Sequence, residues 1–270
     1  MHNNENSPVR YAPAKRSLGQ NFLVDQNICR KIVHALDLKP GDKVLEIGPG
    51  RGALTRHVAE RAPGKYVALE MDDALADELE RQYPDLEVVR GDAMTFDWAS
   101  LAQEDGWKIV GNLPYNIASP LIWDIVSKAF FARAVFMVQL EAGQRLAARS
   151  GGRDYGALSV FVQSHAEVEL LFKVPPHVFR PQPKVTSAVL RFFLRPQRPT
   201  QHDALRLSST LRMCFQQRRK QLGTIMKSQG ISGYLEMLST LDIDPVQRPE
   251  TLGPEQFRAL SKLLPPDFLA

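Results

Sequence analysis

The most constraining feature of this sequence is a regular alternation of short apolar runs with amphipathic helical patterns. The pattern from Asp25 to Leu36 places its apolar residues on one helix face, and Ser119 and Pro120 read as the N-cap and first residue of another helix. Strand then helix, repeated, predicts a mainly parallel sheet covered on both faces. The candidate strands are Lys43–Ile47, Tyr66–Glu70, Leu86–Arg90, Lys108–Gly111, Ala134–Gln139, Val168–Val174 and Val185–Leu194.

The last two candidate strands depart from this alternation. The segment Pro175 to Pro183 between them is too short and too rich in proline for a crossover helix, so we expect them to pair antiparallel. Residues 195–200 resemble a linker, and no strand-like run follows them. We therefore predict a sheet domain over residues 1–196 and a small all-helical domain over residues 197–270.

Several classes of protein are disfavoured by composition. No run approaches the roughly 18 apolar residues of a membrane span, and the start, Met1 to Pro8, lacks the pattern of a signal peptide. Cys29 and Cys214 are far apart and suggest neither a disulfide framework nor a zinc site. The histidines have no metal-ligand spacing. We expect a cytoplasmic protein without a membrane segment or a metal.

A glycine-rich turn follows the first candidate strand. Gly48-Pro49-Gly50-Arg51-Gly52 lies between that strand and a helical pattern. Glycines here let the backbone approach a ligand and leave the N–H groups of the helix start facing it. A tight turn without a ligand is the alternative, which the strand before and the helix after disfavour.

Two carboxylates indicate which ligand the turn would hold. Glu70 ends the second strand, where an acidic side chain can accept hydrogen bonds from ribose hydroxyls. Nicotinamide dinucleotides and S-adenosylmethionine share this feature, but the glycine spacing lacks the third glycine of the dinucleotide pattern. Asp92, after the third strand, can accept from an adenine amino group, which favours S-adenosylmethionine. The alternative for Asp92 is a helix N-cap.

The loop after the fourth strand suits chemistry on an exocyclic amine. The Asn112 side-chain oxygen and the Leu113 carbonyl, held by Pro114, can accept both N–H groups of an adenine and direct its nitrogen lone pair to a methyl donor. Tyr115 would stack on the base, with Phe179 as a candidate for its other face. For both aromatic residues the alternative is packing in the core. No strong base is needed, since a methylated nitrogen becomes acidic.

Positive charge is concentrated in the tail. The chain carries a formal net charge of +4, and Arg206 to Lys227 holds six basic residues and no acidic one. Residues 228–270 hold three basic and six acidic residues. A solvated helix face would explain such a run, but basic residues clustered on one helix also suit contact with nucleic-acid phosphates.

Six motifs of this chain recur together in one family. They are Lys15-Arg16-Ser17-Leu18-Gly19-Gln20-Asn21-Phe22-Leu23, Glu46-Ile47-Gly48-Pro49-Gly50, Gly91-Asp92-Ala93-Met94, Gly111-Asn112-Leu113-Pro114-Tyr115-Asn116, Phe179-x-Pro-x-Pro-Lys184-Val185 and Phe215-Gln216-Gln217-Arg218-Arg219-Lys220. With these motifs the chain resembles the ribosomal RNA adenine N6-dimethyltransferases, and among them the bacterial small-subunit (16S) members. The resemblance extends from about Lys15 to the C-terminal helices.

This resemblance implies an α/β Rossmann-like class I methyltransferase fold with a mixed, mainly parallel seven-stranded sheet. It also implies S-adenosylmethionine as cofactor and, as substrate, two adjacent adenines in a hairpin loop near the 3′ end of 16S rRNA within the assembling 30S particle. We expect a monomer. The expected RNA-binding residues are Arg218, Arg219 and Lys220. The expected cofactor-binding residues are Asn21, Leu23, Gly48, Gly50, Glu70, Asp92, Ala93 and Asn112.

Three other functions remain open from the sequence. A large-subunit rRNA methyltransferase of the macrolide-resistance type shares the Asn-x-Pro-Tyr chemistry. An assembly checkpoint protein that binds the 30S surface, with catalysis secondary, is favoured by the basic run. A nicotinamide-dependent oxidoreductase is the most distant alternative.

Overall fold

The protein was analysed as a computed structural model that describes residues 20–265. Within that range it contains a seven-stranded sheet, a two-stranded sheet and ten α-helices. The strands are β1 (Phe22–Leu23), β2 (Lys43–Ile47), β3 (Lys65–Glu70), β4 (Glu87–Arg90), β5 (Trp107–Asn112), β6 (Arg133–Gln139), β7 (Ala166–Val174), β8 (Phe179–Arg180) and β9 (Ser187–Leu194). The helices are α1 (Gln26–Ala35), α2 (Thr55–Ala59), α3 (Asp73–Gln82), α4 (Ala118–Lys128), α5 (Leu140–Leu146), α6 (Ala157–His165), α7 (Gln201–Gln216), α8 (Leu222–Ser228), α9 (Tyr234–Thr240) and α10 (Pro254–Leu263).

The large sheet has the strand order β4-β3-β2-β5-β6-β9-β7. Its first five strands are parallel, whereas β9 is antiparallel to both β6 and β7. This confirms the predicted mixed, mainly parallel sheet and the antiparallel pairing of its last two strands. From β2, the chain adds β3 and β4 on one side and then β5 and β6 on the other. The strand order therefore reverses at β2, and a crevice opens at the carboxyl ends of these strands.

The buried side chains lie on both faces of this sheet. In β2, Val44 belongs to one hydrophobic cluster and Leu45 to another, as the twofold side-chain period of a strand requires. Helices α1 and α2 cover the first face. Helices α4 and α6 cover the second, together with most of the C-terminal helices. A parallel sheet buried on both faces explains why its strands read as nearly continuous apolar runs.

The C-terminal helices share their core with the sheet region. Leu211 of α7, Met226 of α8 and Leu260 of α10 are fully buried in the cluster that contains Leu45. No strand occurs after Leu194 in the described part of the chain. The domain boundary between residues 196 and 197 stays a prediction, because side chains from both sides of it pack in the same hydrophobic cluster.

Helix α4 begins earlier than the sequence predicts. Its N-cap is Ile117, whose side chain makes no cap hydrogen bond, so the assignment of Ser119 and Pro120 as N-cap and first residue is wrong. A turn closed by the Ile117 N–H on the Pro114 carbonyl, at 3.2 Å, leads directly into the helix. Pro120 is tolerated because N–H groups of the first helical turn have no intrahelical partner.

The basic segment from Arg206 to Lys227 is not one helix. It comprises most of α7, a turn over residues 217–221 and most of α8. Arg206 is buried, with its guanidinium donating to the carbonyls of Ser261 and Leu264 at the end of α10. Arg206 is therefore not available for the nucleic-acid contact that a cluster of basic residues suits, and its charge instead stabilises the carbonyl end of a helix.

A two-stranded sheet was missed by the sequence analysis. Strand β1 pairs antiparallel with β8, with Phe22 opposite Arg180 and Leu23 opposite Phe179. Strands of two residues are too short to show a periodic pattern. We call residues 20–24 the strap. The preceding motif residues, Lys15 to Gly19, lie outside the described residues.

Both cysteines are free and buried. Among residues 20–265, no cluster of histidine, cysteine and acidic side chains has the arrangement of a metal site. No helix in the same range is long and apolar enough to cross a membrane.

Candidate active site

A cavity of about 290 Å³ opens at the carboxyl ends of β2, β3, β4 and β5, at the low end of the size range of ligand sites. Five parts of the chain line it: the strap, the glycine turn, the start of the loop after β3, the loop after β4 and the loop after β5. The cavity thus joins the predicted cofactor residues to Asn112 and Tyr115. Its lining includes Asn21, Leu23, Gly48, Gly50, Glu70, Asp92, Ala93, Asn112, Leu113, Pro114 and Tyr115.

The glycine turn has the conformation that only glycine adopts easily. Gly48 and Gly50 have φ values of 62° and 59°. A Cβ on Gly48 would meet nothing within 4 Å, so the backbone there borders open space in the cavity. A Cβ on Gly50 would lie 3.0 Å from Cε1 of Phe22. The turn thus leaves room for a ligand on one side and accepts an aromatic ring on the other.

Glu70 organises this turn. Its Oε2 accepts a hydrogen bond from the Gly50 N–H at 3.0 Å, and its Oε1 accepts from the N–H groups of Met71 and Asp72 at 2.9 Å each. Burial of the carboxyl raises its pKa, while these hydrogen bonds act in the opposite direction. A carboxylate offers about four acceptor positions, so three backbone donors leave about one for a ribose hydroxyl.

Glu46 lies beneath the turn, at the inner side of the cavity. Its Oε2 accepts hydrogen bonds from Thr55 Oγ1, at 2.8 Å, and from the Tyr66 hydroxyl. The side chain is fully buried, and desolvation raises the pKa of its carboxyl from 4.5 to about 7. Within residues 20–265 no positively charged partner offsets this burial, because both donors are neutral hydroxyls.

Asp92 uses one side-chain oxygen within its own loop. Its Oδ1 accepts from the Met94 N–H at 2.9 Å in a turn over residues 93–95, and no helix begins at Asp92, so the N-cap alternative is wrong. Its Oδ2 makes no hydrogen bond within residues 20–265, and the half-buried residue lines the cavity. One oxygen therefore shapes the loop, and the other is available to an adenine amino group.

The orientation of Asn112 is fixed by the strap. Its Nδ2 donates to the backbone carbonyl of Asn21 at 3.0 Å. The nitrogen is therefore engaged by the chain, and the oxygen is the atom left to accept from a ligand. The neighbouring Leu113 donates its N–H to the Met137 carbonyl at 3.0 Å, and its own carbonyl makes no hydrogen bond among the described residues.

Tyr115 is held at the cavity by its hydroxyl. The hydroxyl forms a 2.6 Å hydrogen bond with Ser187 Oγ at the start of β9. The ring is half-buried, and desolvation raises the pKa of the phenol, so the group stays neutral near pH 7. The arrangement presents an aromatic ring at a fixed position beside Asn112.

Phe179 does not lie at the cavity. It is fully buried in the cluster that contains Leu23 and Val189, and its backbone pairs with Leu23 of the strap. The proposed stacking of Phe179 on the second face of a base is not what this structure contains, because apolar neighbours surround the ring. Core packing, the alternative weighed above, describes its position.

Comparisons with known proteins agree with this geometry. The sequence profile described as "Ribosomal RNA adenine dimethylase" matches residues 12–265. The chain belongs to this family. Ribosomal RNA small subunit methyltransferase A of Maridesulfovibrio salexigens is 47% identical, over 94% of this chain and 97% of the relative. The protein of the same name from Nitratidesulfovibrio vulgaris is 50% identical, over 92% of this chain and 96% of the relative.

Solved structures similar to this one include other rRNA methyltransferases. A dimethyladenosine transferase from Plasmodium falciparum superposes with a TM-score of 0.75 and 26% identity, covering 88% of this chain and 95% of that chain. The 23S rRNA methyltransferase ErmE superposes with a TM-score of 0.68 and 28% identity, covering 90% of this chain and 98% of that chain. The chain thus has the class I methyltransferase fold, and its methyl donor is S-adenosylmethionine.

The residues present fit that donor. Gly48 leaves open space where a side chain would stand, and Glu70 and Asp92 each retain an acceptor for a nucleoside. The cavity also continues from these residues to Asn112. In this member of the rRNA adenine dimethylase family, one opening therefore reaches both the predicted cofactor residues and Asn112.

The three residues expected to bind RNA differ from one another. Arg218 donates from Nε to Glu250 at 3.0 Å and from a second nitrogen to the Arg153 carbonyl at 3.0 Å. Arg219 and Lys220 are exposed in the turn between α7 and α8. Arg218 is thus engaged within the protein, whereas the other two extend into solvent.

Sequence reasoning did not assign roles to Phe22 and Arg51. The Arg51 guanidinium lies 4.2 Å from the centroid of the Phe22 ring, and both residues line the cavity. Gln20 also donates to Asp72 at 3.1 Å, next to Glu70. The available signal was the motif from Lys15 to Leu23, in which only Asn21 and Leu23 were singled out.

Proposed function

We propose that this chain dimethylates N6 of two adjacent adenines in a 3′-terminal hairpin loop of 16S rRNA, within the 30S particle, as a step in small-subunit biogenesis. The names of the relatives from Maridesulfovibrio and Nitratidesulfovibrio support the small subunit as the source of the substrate. The observation that carries the chemistry is the Asn112 carboxamide, whose nitrogen is bound to the strap and whose oxygen is left for a substrate amine.

The site acts mainly by positioning. An adenine amino group is a weak nucleophile because its lone pair is delocalised into the ring. The Asn112 oxygen and the Leu113 carbonyl accept its two N–H groups, which favours a pyramidal nitrogen with a directed lone pair. Tyr115 stacks on the extruded base. When bound, S-adenosylmethionine supplies an electrophilic methyl group.

The proton balance requires no buried base. Once the nitrogen has gained a methyl group it carries a positive charge and becomes acidic, so it loses a proton to water or to an adjacent carbonyl. Asn112 and Leu113 offer neutral oxygen acceptors, so the loss of this proton does not depend on an ionised side chain. A second methylation at the same nitrogen repeats the step with one N–H group in place of two.

Methylation of undermethylated 30S particles tests this function. The purified protein and labelled donor should produce N6,N6-dimethyladenosine in a digest of 16S rRNA, and its absence would refute the proposal. Primer-extension stops on 23S rRNA in place of 16S rRNA would instead support the large-subunit alternative.

A substitution at Asn112 tests whether catalysis and 30S binding depend on different residues. Asn112→Ala should abolish methyl transfer and leave 30S binding near normal. Asn27→Ala, which removes an exposed amide on α1, is the matched control and should change neither. A comparable loss of methylation and binding in Asn112→Ala would favour an assembly checkpoint protein whose site serves for binding.

RNA affinity should depend on the exposed cations. Neutralising Arg219 and Lys220 should weaken 30S binding and reduce the slope of log K against log salt by about 0.7 to 0.9 for each lost phosphate contact. We also propose Arg218 as an RNA-binding residue. Because Arg218 forms an ion pair with Glu250, replacing it would also remove a contact that holds the turn between α7 and α8.

A further inference from the structure

We propose that Phe22 is a positioning residue for methyl transfer, which acts by holding the strap so that the Asn21 carbonyl orients the Asn112 carboxamide. The inference rests on the role proposed above for Asn112. It concerns a buried aromatic residue whose side chain has no hydrogen-bond donor or acceptor.

The Phe22 ring is clamped between two parts of the glycine turn. Its Cε1 stands 3.0 Å from the position of a Cβ on Gly50, so the ring lies directly against the glycine backbone. The Arg51 guanidinium lies 4.2 Å from the ring centroid on another side. Only 8% of the residue is exposed. The ring therefore fixes the strap to the cofactor turn.

Asn21 and Leu23, the residues on either side of Phe22, contact Asn112 and β8 respectively. Asn21 accepts the Nδ2 hydrogen bond of Asn112 at 3.0 Å through its carbonyl, one peptide unit from the clamped ring. Leu23 pairs with Phe179 of β8. A shift of the strap would therefore move the Asn21 carbonyl, which binds the nitrogen of the Asn112 carboxamide and so fixes the direction of its oxygen.

This distinction matters because a carboxamide is nearly symmetric in shape. If it rotated by half a turn about its last bond, Asn112 would present N–H groups to the adenine amino group, and donor would face donor. The Asn21 carbonyl prevents this, because it can only accept. An orientation fixed before the substrate binds is the form of positioning that raises kcat.

Steady-state kinetics of Phe22→Ala test the proposal. We expect kcat to fall roughly 10- to 100-fold at saturating donor and 30S particles, because small misplacements of a reacting group have effects of that size. The KM for 30S particles should stay within about twofold, since Arg219 and Lys220, the exposed cations assigned above to RNA binding, do not line the cavity. Phe22→Leu, which restores an apolar side chain against Gly50, should recover most of the lost kcat.

Phe193→Ala provides the matched control. Phe193 is a half-buried residue on β9 whose ring lies beneath two guanidinium groups, 5.0 Å from Arg133 and 5.4 Å from Arg191, and it does not line the cavity. Its removal costs a comparable aromatic contact and should leave kcat unchanged. Equal values of kcat in the Phe22→Ala and Phe193→Ala proteins would overturn the proposal.

An NMR measurement tests whether the loss of Phe22 changes the surroundings of the Asn112 side chain. In protein labelled with ¹⁵N-asparagine, the side-chain amide signal that is absent from Asn112→Ala identifies Asn112. This signal should move in Phe22→Ala and stay in place in Phe193→Ala. A lower kcat with an unmoved Asn112 signal would overturn the proposal. Full activity in Asn112→Ala would instead refute the proposed function, because Phe22 would then have no catalytic group to orient.

Discussion

Replacing Glu46 with glutamine should remove a large part of the pH dependence of stability. Both hydroxyl donors, from Thr55 and Tyr66, bond to the same oxygen of Glu46. A glutamine can place its carbonyl oxygen there and keep both hydrogen bonds. The substitution therefore changes the ionisation of the side chain while it preserves its shape and its partners.

The magnitude follows from the buried carboxyl. Its pKa is 4.5 in an exposed state and about 7 in the folded protein. The difference corresponds to about 3 kcal/mol, at ~1.4 kcal/mol for each pKa unit. Between these values the folded state binds a proton that the unfolded state has lost. The stability that this proton provides is fully present below pH ~4.5 and is lost as the pH rises to about 7.

Urea unfolding of the two proteins at several pH values measures this difference. From about pH 5 to about pH 8, the free energy of unfolding of Glu46→Gln should rise by about 2 to 3 kcal/mol relative to that of the wild type. Titrating groups distant from Glu46 contribute equally to both proteins and cancel, whereas Glu70, whose charge raises the pKa of Glu46, does not cancel completely. An unchanged difference across this range would refute the reasoning, because it would mean that Glu46 ionises in the fold as easily as in water.

Tyr66→Phe gives a second test of the same cause. The Tyr66 hydroxyl donates to the carboxylate and so favours its ionised form. Without this donor the pKa of Glu46 should rise further. The fall in stability of this variant should then continue to a higher pH than in the wild type.

Three further perturbations have defined outcomes. Gly111→Ala would place a Cβ 2.9 Å from the Ile47 carbonyl oxygen, so the two strands must separate; urea unfolding should show a loss of about 1 to 3 kcal/mol. Glu70→Gln leaves at least one of three backbone N–H groups without an acceptor, at a cost of about 1 to 3 kcal/mol; calorimetry should show donor binding weakened by about tenfold or more. Tyr115→Phe retains the ring and loses the hydrogen bond to Ser187; kcat should fall by less than about tenfold, and an equal loss in Tyr115→Ala would contradict a stacking role.

The sheet could be predicted from the sequence because its strands are buried on both faces. Such strands appear as apolar runs whatever their neighbours are, and all seven had been placed within two residues of their positions in the structure. The start of α4 was misplaced because a backbone turn, rather than the side chain of Ser119, forms its N-terminus. Local signals identify elements more readily than their ends.

The site was predictable where its residues follow a strand. Glu70, Asp92 and Asn112 each come at or after the carboxyl end of a parallel strand, and these ends meet at one edge of the sheet. The contact between Asn112 and the Asn21 carbonyl could not be predicted, because it depends on a pairing between two-residue strands. The burial of Phe179 has the same origin.

Charge in the tail was the least predictable feature. A run of basic residues looks uniform in sequence, but Arg206 bonds to helix carbonyls, Arg218 bonds to Glu250, and Arg219 and Lys220 remain exposed. Which of these side chains meets solvent is decided by the packing of α7 against residues from other parts of the chain. The sequence of residues 206–227 alone does not indicate this packing.

The pairing of β1 with β8 affects when the enzyme becomes competent during its synthesis. The strap leaves the ribosome early, but its partner, Phe179–Arg180, is translated more than 150 residues later. At about 5 to 20 residues per second, this delay is roughly 8 to 30 s. Until then β8 cannot hold the strap, so in a growing chain the Asn21 carbonyl lacks this support beside Asn112.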